Sequence, residues 1–155
     1  MPTPEQVFLR YAFPCAQVLL DTGKLTKEGY ERLKRAVMSG EGITRDELES
    51  IFRSAVARMK ELFGEDYWSL AAVREYFIEH HNRIIDAGKE GYANAPEYFK
   101  EMCKVHIARV VAREGSGLRV RYGGKERVVL GLLCPEAKPG DKVSIHLGFA
   151  IEVLA

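Results

Sequence analysis

The feature that most constrains this chain is a change of period near residue 103. Before it, apolar residues recur at intervals of three and four; after it, β-branched residues alternate with polar ones. The helical part is well punctuated. Thr3, Pro4 and Gln6 form a capping-box signature for a helix running to about Asp21 and bent near Pro14. Thr26 opens a second helix that stops at Gly40, and Thr44 with Glu47 opens a third that runs unbroken to Gly64. A fourth is expected from about Asp66 to Ala87, and a short fifth in "ANAPEYFKE" with Pro96 in its first turn.

From Cys103 the segments "VHIARVVA", "LRVRY", "ERVVLGLL", "KVSIH" and "FAIEVL" read as five short strands, the first opened by Cys103 itself. Gly123-Gly124 suits a two-residue hairpin turn and Pro139-Gly140 a type II turn. Closure into a small antiparallel barrel would remove exposed strand edges. The expected class is therefore α+β: a helical bundle domain over residues 1–95, then a β-barrel domain over residues 102–155, with the boundary near residues 88–102.

Bulk properties exclude several classes. A formal charge of +1 on 155 residues gives no argument for a polyanionic partner, although residues 101–155 hold three more basic than acidic side chains. No apolar run approaches the roughly 18 residues of a membrane span. The start "MPTPEQVFLR" lacks the pattern of a secretory leader. Three scattered cysteines, Cys15, Cys103 and Cys134, fit a reducing compartment, and a cytoplasmic location is expected. Cys15 reads as helical core, and Cys134 as either a small buried hydrophobe or a ligand.

In "KVSIHLG", alternation puts Val143, Ile145 and Leu147 in the core and Lys142, Ser144 and His146 on the other face. His146 is thus expected outside the core, either as an ordinary surface histidine or as a functional one.

The segment from Met102-Cys103 to the closing "PEAKPGDKVSIHLGFAIEVL" resembles the HypC/HupF family, small chaperones of nickel–iron hydrogenase maturation with an OB-like barrel. The resemblance is carried by Met102-Cys103, Gly140-Asp141, His146, Gly148, Phe149 and Ala150, and covers about a third of the chain. It implies a role in metallocentre assembly, with Cys103 as metal ligand, His146 as the nearby functional histidine, and iron, ahead of zinc, as the metal. One cysteine and one histidine leave coordination positions open, so a protein partner or metalloenzyme client would complete the shell. Gly148 and Phe149 are candidate partner-binding residues. Here about a hundred residues precede Cys103, and Ile107 and Ala108 stand where the family carries proline and glycine.

The fourth helix contains "REYFIEHHNRII", in which one of His80 and His81 faces the core beside Phe77 and Ile84. It reads either as a hydrogen-bonded helix histidine or as a further metal ligand, supplied by a helix lying against the barrel. A different reading is an OB-type nucleic-acid-binding module, with Arg119 and Arg121 on an outer strand face joined by Arg109 and Arg127. Tyr122 and Phe149 are assigned inward, which leaves few aromatics for base stacking and disfavours nucleic acid. No phosphate loop, dinucleotide fingerprint or nucleophile elbow is present, and no enzymatic activity is expected.

Overall fold

A computed structural model describes residues 2–40, 42–89 and 92–155; residues 90 and 91 of the expected boundary lie outside these. The chain divides into two compact units, Met1–Phe77 and Ile78–Ala155, earlier than the change of sequence period. The architecture is mixed α and β, with helices first and a five-stranded sheet after them.

In the first unit α1 (Pro4–Ala12) starts at the Thr3 capping box, and a 3-10 turn at Phe13–Cys15 carries Pro14 into α2 (Ala16–Asp21). Proline lacks the N–H that an α-helical turn needs, which is why the helix is interrupted there. Cys15 lies in that turn and is half-buried, not in the core as expected. Helix α3 (Lys27–Ser39) is capped by Thr26 and ends at Gly40, whose φ of 75° is left-handed. The third expected helix is two: α4 (Arg45–Ile51) and α5 (Arg53–Phe63) meet at Phe52, which takes φ −101° and ψ 57°. Phe52 packs edge-on against Phe8, with ring centroids 5.8 Å apart, so tertiary packing overrides an unbroken helical period. Phe8 also meets Trp68 and Phe77, while Tyr11 stacks on Phe77 at 5.1 Å, giving this unit an aromatic core. Helix α6 (Leu70–Glu75) begins at the Ser69 cap and runs into a π-helical turn over Tyr76–His80.

The second unit contains α7 (His81–Asp86), α8 (Glu97–Cys103) and strands β1 (Val105–Glu114), β2 (Gly117–Tyr122), β3 (Lys125–Leu130), β4 (Lys142–His146) and β5 (Phe149–Leu154). Neighbours run β1-β2-β3-β5-β4 and β4 returns to β1, so the pairings close on themselves. All are antiparallel except β3 with β5, which run parallel and meet at Leu130 and Phe149. The β2–β3 turn uses Gly123 and Gly124 at φ 55° and 78°, the two positive values that a type I′ hairpin requires. Inside lie Ala108, Val110, Leu118, Val120, Val129, Cys134, Ala137, Val143, Ile145 and Ala150. Cys134 is therefore a core residue. Cys103 does not open the first strand: it is the last residue of α8, and β1 begins at Val105.

Candidate functional site

The site grows from the start of β1. Val105 pairs with His146 across β1 and β4, and the Leu147 N–H donates to the Met102 carbonyl at 3.1 Å. These two contacts bracket Cys103 and lay its backbone alongside His146. Cys103 is buried; burial raises its thiol above the ordinary value, partly opposed by a hydrogen bond from Tyr92.

His146 shares the outer face of β4 with Ser144, as alternation predicts, yet it is 0 % exposed. The expectation of a residue outside the buried interior is thus corrected. The reason is a second layer: the His81 ring of α7 packs edge-on against the His146 ring, with centroids 5.2 Å apart. Their nearest ring nitrogens lie within 4.8 Å of one another. His81 is pushed down to about 3, first by burial and then by the proximity of His146, against a hydrogen bond with Asn82 that favours the charged form. At neutral pH it is an uncharged imidazole, the form in which histidine donates a lone pair to a metal. His80, half-buried, is the last residue of the π-helical turn, and the ring packed on His146 is that of the next residue, His81.

Asn82 fixes this arrangement. Its side-chain carbonyl accepts from the Val105 N–H at 2.8 Å, and its NH₂ donates to the Val105 carbonyl at 2.8 Å. In the β1–β2 register the first pair is Arg109 with Arg121, so Val105 lies beyond the reach of β2 and its backbone groups need another partner. The amide of Asn82 supplies one, as a neighbouring strand would. Lys104 adds a tie at 2.6 Å to Asp86, at the far end of α7. Nothing in sequence periodicity marks Asn82; an amide one residue from a paired histidine was the available signal.

The remaining candidates separate. Arg119 pairs with Glu114 at 2.9 Å, and Arg121 donates through Nε to Glu126 at 3.0 Å, so both outward charges are locally neutralised. Arg109 donates to the Gly140 carbonyl at 2.7 Å. Arg127 is not on the outer face as expected. It is paired with Val120 in the β2–β3 register and shares that core residue's inward face, with its guanidinium 5.7 Å from the Tyr122 ring centre. The Gly148 carbonyl accepts from the Leu130 N–H at 2.8 Å, and half-buried Phe149 pairs with both His146 and Leu130. His106 stacks on Tyr122 at 4.7 Å, on the inward side.

Comparison with known families bears on the same half of the molecule. Residues 102–155 match the HupF/HypC family. The matched segment starts at Met102 and contains Cys103 and His146, whereas Asn82 and His81 precede it. No curated protein matches the chain. Among the described residues, no helix is long and apolar enough to cross a membrane.

Proposed function

We propose that residues 102–155 form an OB-type barrel acting as a HypC-like assembly module in hydrogenase-type metallocentre maturation, joined to a helical domain over residues 1–95. The strand order β1-β2-β3-β5-β4, with β4 returning to β1, supports the OB assignment. The observation that carries the functional reading is the placement of His146. It is paired beside the Cys103 backbone and covered by a second imidazole, His81, inside the segment matched to the HupF/HypC family or packed against it.

The donor set fits a metal cargo. Two imidazoles, His81 and His146, with nitrogens within 4.8 Å suit iron, or zinc as the second choice, and the HypC/HupF resemblance adds the Cys103 thiol. Cys103, His146 and His81 would hold the cargo, and the partner or client would supply the remaining ligands before receiving it. Cargo binding requires Cys103 to lose its proton, which its burial resists, so the thiol stays protected until a metal competes for it. The protein's part is to hold and hand over, without catalytic turnover, in the cytoplasm.

Metal content of protein purified without an affinity tag tests this reading. Iron in the wild type, reduced in Cys103→Ala, His146→Ala and His81→Ala but retained in His80→Ala, is the expected pattern. Equal metal in all five proteins, or none in any after incubation with ferrous iron under anaerobic conditions, refutes it. The nucleic-acid reading has no comparable support, since Arg119 and Arg121 are engaged by glutamates.

A further inference from the structure

The inward face of the sheet ends, beyond Val120 and Val129, in a polar cluster that the metal reading does not use. Tyr122 and Lys125 are register partners, Arg127 pairs with Val120, and His106 pairs with Ile145. Arg127 stands out energetically. Its Nη1 donates to the Met102 sulfur at 3.3 Å, a weak acceptor, while its Nε and Nη2 are buried with no hydrogen-bond partner. Buried donors are rarely left unbonded in folded proteins, because each forfeits its hydration without replacement.

Charge around the cluster is lopsided. Lys125 lies 5.8 Å from the Tyr122 ring centre, beside Arg127 at 5.7 Å. The carboxylate at hand, Glu101, is taken by Lys104 at 3.1 Å and lies 3.6 Å from His106. Nε and Nη2 form one edge of the guanidinium fork, spaced to meet two oxygens of one acid. Tyr122 lies beside the guanidinium, its ring centre 5.7 Å away, and the apolar rim favours a carboxylate carried on a polypeptide over a free, strongly hydrated phosphate. The rim is apolar: Met102 is 36 % exposed, and Tyr98, one turn earlier on the same face of α8, is 74 % exposed.

We propose that this end of the barrel is a docking site for an acidic segment of a partner polypeptide, in which an Asp or Glu carboxylate takes the Nε–Nη2 edge of Arg127 and an adjacent apolar side chain rests on Met102 and Tyr98. The thioether of Met102 shifts aside to admit it. None of Cys103, His146 or His81 takes part, so this site and the metal reading stand or fall separately.

Nuclear magnetic resonance of the arginine Nε–H groups tests the proposal on the full chain. The probes are acetate, the dipeptide acetyl-Glu-Leu-amide and inorganic phosphate, each added at constant ionic strength. The Arg127 signal should shift and saturate with acetate at millimolar levels, and saturate at several-fold lower dipeptide concentration. Met102→Ala should tighten acetate binding, and Tyr98→Ala should abolish the dipeptide's preference over acetate while leaving the Arg127 response to acetate in place. A dipeptide no better than acetate would mean a small-carboxylate site and overturn the polypeptide partner. An Arg127 signal unmoved in both the wild type and Met102→Ala, a stronger response to phosphate, or an equal shift at Arg121 would overturn the site itself.

Discussion

Replacing Asn82 isolates the contact on which the His81–His146 pair depends. The two bonds to Val105, each 2.8 Å and partly buried, would both vanish in Asn82→Ala, stranding an N–H and a carbonyl that β2 does not reach. Each stranded group costs about 1–3 kcal/mol, so a local loss of about 2–4 kcal/mol is expected after partial rescue by water. Hydrogen exchange at the Val105 amide reads it directly. An opening free energy lowered by about 1–3 kcal/mol for that one bond speeds exchange by about five- to 150-fold. Asn82→Asp divides the two halves of the interaction. The carboxylate still accepts from the Val105 N–H, so amide protection persists, but it faces the Val105 carbonyl with oxygen where NH₂ had donated, so overall stability still falls. Equal Val105 exchange in wild type and Asn82→Ala would refute the view that the amide substitutes for a neighbouring strand. Identical exchange in the Ala and Asp variants would refute the assignment of its carbonyl to the N–H.

Two further outcomes follow from the buried ionisable groups. His81, at about 3 when folded against an ordinary histidine value of 6.5, binds fewer protons than the unfolded chain between those values; stability therefore rises with pH across that window and levels above it. Unfolding free energies from urea titrations between pH 5 and 6.5 should climb by up to about 1.4 kcal/mol per pH unit more in wild type than in His81→Gln, and parallel curves for the two proteins would contradict the assignment. The Cys103 thiol, raised by burial and held partly in check by Tyr92, should alkylate with a midpoint pH above that of the unfolded chain, and higher still in Tyr92→Phe. Rate profiles with iodoacetamide measure it; a midpoint lowered by Tyr92→Phe would contradict the role given to that hydroxyl.

Local signals carried the secondary structure well wherever one residue type did one job. Thr3, Thr26 and Thr44 each cap the helix expected of them, and the five strands lie where alternation and the Gly123-Gly124 and Pro139-Gly140 turns put them. The Phe52 break was not legible, because a helical period persists through it and only the contact with Phe8 distinguishes the two helices. At the site, alternation gave the face of His146 correctly but not its burial, which depends on a helix some sixty residues earlier in the chain. The inward turn of Arg127 was available from alternation alone: Val129 is core, and a residue two positions earlier on a strand shares its face. A positive charge obscured that count. Asn82 carried no periodic signal, since a side chain standing in for a missing strand is recognised only once the strand is seen to be missing.

The unequal fastening of the sheet has a mechanical consequence. Strands β3 and β5 are joined at the pair Leu130 and Phe149, with the Leu130 N–H to Gly148 carbonyl bond of 2.8 Å, while β2 and β3 are zipped from Gly117–Leu130 to Tyr122–Lys125. A cylinder under strain parts along the line where the fewest bonds must break. Swelling of the interior, whether by a bulkier core residue or by heat, is therefore relieved as a slit beside Phe149, and that slit abuts the strand end that carries His146. The imidazole thus sits next to the cylinder's most easily opened crease, while the wall formed by β1 and β2 keeps its shape.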